Sequence, residues 1–225
     1  MRGSSRAVAR VIGLMMAAAA LLPAIATGQV AGSIRTRVRP GASASVPVVF
    51  AERLDAPTAA RAGTFTITQK SKAFAPRVLA VPIGSTVSFP NDDPIFHNVF
   101  SLSSPQPFDL GLYRSGAAKS RTFTEPAVYH VFCNIHPQMV SFLVVAPTSF
   151  VATARPDGAW RLDLPPGRYR ITALSERAAP VSIEIAVGAT PTEAPAIALD
   201  ESVAVTTPHL NKHGKPYPKS AYTEK

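Results

Sequence analysis

The chain has 225 residues, with 23 Lys and Arg against 14 Asp and Glu, a formal net charge of +9 and 46% hydrophobic residues. Its single Cys excludes an internal disulfide, and the short apolar stretches after the first 26 residues exclude a protein of many membrane spans. The basic charge lacks the interleaved aromatic residues of a nucleic-acid surface, so nucleic acid is not an expected partner.

The chain opens with Arg2, Arg6 and Arg10, then an apolar run from Val11 to Ala26 that ends in the small-x-small sequence Ala24-Ile25-Ala26. Residues 1–26 read as a cleaved secretion signal, and the run is short for a membrane span, so the mature chain is expected in the periplasm as a monomer without a span. About 200 residues remain, enough for one larger domain or two small ones. Proline at 22 positions and many short alternating apolar stretches point to an all-β protein rich in turns.

Residues 27–57 contain strand-like sequence with Gly32, the turn Pro40-Gly41 and the run Val46-Pro47-Val48-Val49-Phe50. They either begin the next unit or complete a sandwich formed later in the chain. Residues 58–147 carry strand-like runs at Thr64–Thr68, Val78–Val81, Thr86–Phe89, Tyr129–Cys133 and Phe142–Val145, separated by turn sequences such as Pro90-Asn91-Asp92-Asp93-Pro94. Such a series predicts a β-sandwich. Residues 148–206 form another strand series: Trp160, Leu162 and Leu164 alternate after the turn Pro156-Asp157-Gly158, Tyr169, Ile171 and Ala173 follow Pro165-Pro166-Gly167, and Val181, Ile183, Ile185 and Val187 alternate again. That segment alone is short for a stable core. Residues 207–225 are basic, lack an apolar period and are expected to be a disordered, solvated tail, with His209 and His213 in it. By segment, residues 29–147 carry +5, residues 148–207 carry −2 and residues 208–225 carry +3.

Four side chains stand out. Cys133, His136 and Met139 lie on one short stretch, Cys133-Asn134-Ile135-His136-Pro137-Gln138-Met139, and Met139 is the only methionine beyond the leader. Joined by His97, which follows a turn, they supply a thiolate, two imidazoles and a thioether, the donor set of a trigonal Cys/His/His copper site with a weak axial Met. Tyr129, Val131 and Cys133 share one strand face, so the sulfur is expected to point inward, while His130 falls on the opposite face at the surface or between domains. A buried metal-bound sulfur also removes the liability of a free thiol in an oxidising compartment.

The pattern resembles the cupredoxins, and the Cys-x-x-His-x-x-Met spacing is similar to that of the amicyanin and plastocyanin-like branch, including bacterial methylamine-utilisation proteins. The resemblance covers roughly residues 64 to 146 and rests also on Gln69, Phe74-Ala75-Pro76, Val81-Pro82-Ile83-Gly84, Val87-Ser88-Phe89-Pro90-Asn91, His97-Asn98-Val99-Phe100-Ser101 and Phe108-Asp109-Leu110-Gly111. It implies a Greek-key β-sandwich over residues 58–147 with one mononuclear type 1 copper, His97, Cys133 and His136 as strong ligands and Met139 as the long axial one. It also implies that Asn98 hydrogen-bonds across to the cysteine loop. The later run from Asp157-Gly158 through Leu164-Pro165-Pro166-Gly167 to Ile171, taken with residues 27–57, resembles a carboxypeptidase-regulatory-like β-sandwich, with the copper unit inserted into one of its loops.

These implications make the protein an electron carrier and not an enzyme, exchanging single electrons with an acidic redox protein such as a cytochrome or oxidoreductase that docks transiently near His136. The competing reading is a periplasmic copper carrier or sensor, against which the scarcity of Met counts. Zinc seldom recruits Met, and a Cys133 nucleophile lacks a recognisable partner set.

Overall fold

The computed structural model describes residues 28–204 and 208–217, so the expected secretion signal lies outside the described residues. Among those residues the chain is all-β, as the alternating apolar pattern requires, with no helix. Among the described residues no helix is long and apolar enough to cross a membrane.

Two strands open the chain, β1 (Gly28–Arg37) and β2 (Val48–Arg53). A first unit follows with β3 (Thr64–Thr66), β4 (Thr68–Lys70), β5 (Ala73–Ala75), β6 (Val78–Pro82), β7 (Thr86–Pro90), β8 (His97–Ser101), β9 (Phe108–Tyr113), β10 (Ala118–Thr122), β11 (Ala127–Phe132) and β12 (Val140–Ala146). The chain then runs through β13 (Val151–Thr153), β14 (Ala159–Leu164), β15 (Gly167–Leu174), β16 (Val181–Val187), β17 (Thr192–Glu193) and β18 (Ile197–Asp200).

In the first unit a sheet of order β10-β7-β3 faces one of order β6-β12-β11-β8-β9, and β4 and β5 form a hairpin. Ile67, Val87, Phe89, Val99, Phe123, Tyr129, Val131 and Leu143 fill the space between them. From Phe142 to Ala146 β12 is buried on both faces, which explains the unbroken apolar run there. Leu143 and Val145 enter this core, while Phe142 and Val144 pack outward against Val48 and Leu174 of the neighbouring unit. Arg77 and Glu176, paired at 2.6 Å, also join the two units.

β1 and β2 pair with strands from the far side of the first unit. β1 runs antiparallel to β14, with Gly32 opposite Trp160, and β2 lies between β13 and β15. Val30, Ile34, Val49, Trp160, Leu162, Leu164, Tyr169 and Ile171 share this second core. Gly32 is required by close approach: a Cβ there would lie 2.5 Å from the Trp160 ring. β16 is an edge strand on which Val187 is buried, Ile183 and Ile185 are partly buried against the core and Val181 is exposed, so its alternating face covers the core edge.

Candidate metal centre

The site forms at one end of the first sandwich. His97 opens β8, and its own face continues through buried Val99. Tyr129, Val131 and Cys133 are all fully buried, so the two-residue period of β11 does carry the sulfur inward. The loop after Cys133 turns back on itself. The Cys133 N–H donates to the Met139 carbonyl at 3.3 Å, and the Met139 N–H to the His136 carbonyl at 3.0 Å.

Three donors converge. Cys133 Sγ lies 3.8 Å from both His97 Nδ1 and His136 Nδ1, and the two Nδ1 atoms are 3.1 Å apart. The point equidistant from these three atoms is about 2.1 Å from each, the length of a bond from a first-row metal to imidazole or thiolate. His97 and Cys133 are fully buried and His136 is half-buried. Met139 is fully buried in the same apolar cluster as Cys133.

The tautomer of His97 is set from its other nitrogen. His97 Nε2 donates to Asp93 Oδ2 at 2.7 Å, which in the neutral ring leaves the Nδ1 lone pair free and facing the Cys133 sulfur. Asp93 is itself held by the backbone N–H groups of Ser71 and Lys72, the two central residues of the β4–β5 hairpin. Both have φ of 53°, the left-handed conformation that a tight two-residue hairpin demands. Buried Asn91 adds a bond to the Ile95 carbonyl at 2.8 Å, so the loop before His97 is fixed from two directions. Burial raises the Asp93 pKa, but the bonds from Lys72, His97 and Ser71 prevail and hold it below its ordinary value.

The electrostatics favour a thiolate. Burial pushes the Cys133 thiol up, but the contact with His97 and the N–H groups of Asn98, Ile135 and His136 outweigh it and hold the group below its ordinary value. For His97, burial lowers the pKa and the contacts with Cys133 and Asp93 overcome it, so the ring sits above its ordinary value.

Asn98 does reach the cysteine loop: its Oδ1 accepts the Asn134 N–H at 3.3 Å, and its Nδ2 donates to Asp109 at 2.6 Å. His130, on the opposite face, packs edge-on against Phe142 at 5.5 Å and lines a cleft with Arg77, Glu176 and Arg177 between the two units. Residues 208–217 differ from the expected solvated tail. They lie on the Cys133 loop, with His209 Nε2 donating to the Pro137 carbonyl at 2.6 Å, because loop carbonyls and the Phe132 ring offer partners that replace an apolar period. Sequence reasoning also missed Asp93. Its position four residues before His97 was the available signal, but an acidic residue in a Pro-rich turn reads equally well as turn chemistry.

No protein-family model matches the chain, and no curated protein matches it. Among solved structures, the chain is similar to a purple cupredoxin from Nitrosopumilus maritimus, at 27% identity and a TM-score of 0.33, over 36% of this chain and 98% of that one. It is also similar to the reduced state of an amicyanin variant, at 25% identity and a TM-score of 0.35, over 43% and 99% of the two chains. A copper-containing nitrite reductase from Thermus scotoductus SA-01 matches at 28% identity and a TM-score of 0.35 over 40% of this chain, which spans only 23% of the reductase.

Proposed function

We propose that this chain is an exported, periplasmic cupredoxin that carries single electrons through one type 1 copper held by His97, Cys133 and His136, with Met139 as the axial ligand. The donor triangle carries this reading: three atoms of the right chemistry surround a point at metal-bond distance, with Asp93 fixing the tautomer of His97. Bound there, copper would supply a one-electron couple. The buried thiolate and Met139 sulfur favour Cu(I) while the imidazoles support Cu(II), and a clamped ligand set limits reorganisation between the two.

Cys133 and His97 are fully buried and His136 is half-buried, an arrangement suited to electron exchange through the His136 edge more than to bond-making on a bound substrate. Phe96, 53% exposed beside His97, and Leu112, 56% exposed opposite Asn98, provide apolar surface for a transient redox partner near the site. The basic charge of residues 29–147 favours an acidic partner and salt-sensitive association. The second sandwich supports the copper unit across the packing of Phe142 and Val144, with the chain acting as a monomer.

The deciding experiment adds Cu(II) to the mature chain and records the visible spectrum and a voltammogram. An intense sulfur-to-copper band, lost in Cys133→Ser, with a reversible wave, is the expected result. Copper binding without a reversible wave supports a carrier or sensor instead, and absence of the band overturns the ligand assignment.

A further inference from the structure

We propose that residues 208–217 form a strap that clasps the ligand loop, with His209 and Tyr217 as positioning residues for the Cys133–Pro137 backbone. This rests on the copper reading of the same loop. The loop's internal bonds use its N–H groups: those of Cys133 and Met139 close the turn, that of Ile135 points at Cys133 Sγ at 3.5 Å, and that of Asn134 meets Asn98. The strap takes the complementary acceptors. His209 donates to the Pro137 carbonyl at 2.6 Å, the Tyr217 hydroxyl to the Cys133 carbonyl at 2.9 Å, and the Lys212 N–H to Asn134 Oδ1 at 3.0 Å.

Ring contacts reinforce the clasp. His209 stacks on Phe132, the residue before Cys133, at 3.9 Å and 11°, and Tyr217 meets His209 edge-on at 5.1 Å. Lys212 Nζ also pairs with Asp109 at 2.8 Å, and Asp109 accepts from Asn98. A closed circuit therefore runs from Lys212 through Asp109, Asn98 and Asn134 back to Lys212. It joins the residue after His97 to the residue after Cys133, so the strap holds the two ligand-bearing segments in mutual register as well as bracing one loop.

The test compares the full chain with His209→Ala, Tyr217→Phe and the double variant. Amide exchange of Ile135, Gln138 and Met139 is read in the metal-free protein, and release of Cu(I) to an excess of chelator and the energy of the sulfur-to-copper band in the loaded one. With hydrogen bonds worth about 1 kcal/mol each, the double variant is expected to release copper about ten- to thirtyfold faster. Its loop amides should exchange faster and its band should shift, while amides of β14 and β15 stay unchanged. Tyr217→Phe, which removes one hydroxyl and no packing, should show part of each effect. Unchanged loop exchange in the double variant overturns the clasp whether or not copper binds. A full-length chain that takes no copper overturns the copper reading, and strap-dependent exchange in that chain still supports the clasp.

Discussion

Asp93 Oδ2 accepts the Nε2 proton of His97 at 2.7 Å, and the backbone that holds Asp93 is a hairpin turn in a left-handed conformation. A carboxylate behind a ligating imidazole fixes the ring's rotation and tautomer and raises its donor strength. Asp93→Asn is therefore expected to keep the fold and weaken Cu(II) binding about 10- to 100-fold, measured by competition titration. Equal affinity would show that Asp93 serves only the turn.

Met139 is buried beside Cys133 in the core that closes the site. Met139→Leu preserves volume and removes the sulfur, so copper should be retained and the reduction potential should rise, because a weak donor to Cu(II) is lost. A voltammogram that does not move would remove Met139 from the ligand set.

Lys72 adopts φ of 53° in the turn that grips Asp93. An L-residue in that conformation is disfavoured by about 1–2 kcal/mol, and glycine escapes the clash while losing more conformational entropy on folding. Lys72→Gly should stabilise the protein by about 0.5–1 kcal/mol in urea titrations while leaving the N–H bond to Asp93 intact.

Glu201 is buried at the end of β18, where it accepts from Ser175 at 2.5 Å and from the Ser45 N–H at 3.1 Å and pairs with Arg177 at 2.9 Å. Burial raises its pKa, but these partners prevail and hold it below its ordinary 4.5. A group depressed in the folded state contributes fully above its unfolded value and loses that contribution as the pH falls through the folded one. Glu201→Gln should cost about 1–3 kcal/mol at neutral pH and lose part of the stability decline expected of wild type below about pH 4.5, read from denaturation midpoints across that range.

The parts legible in the sequence are those whose physics is local. Alternation placed Trp160, Leu162 and Leu164 on one buried face and Cys133 with Tyr129 and Val131 on another, and all six are buried. β8 escaped the pattern because every one of its residues is buried, His97 and Asn98 included, so no alternation marks it. The tail was illegible for a related reason. It is held by donors to loop carbonyls and by one stacked imidazole, and neither leaves a period along the chain. The Asp93–His97 bond depends on a hairpin far upstream whose Ser71 and Lys72 carry no turn signature of the usual Asn-Gly kind.

Because Phe50 of β2 lies opposite Val151 of β13, the polypeptide departs from the second sandwich and rejoins it on adjacent strands, about 4.8 Å apart. The intervening excursion is thus tethered by two neighbouring roots, as a jewel is held by paired claws. Torque applied to this excursion would pass into both roots together, so it resists swivelling where a single linker would yield.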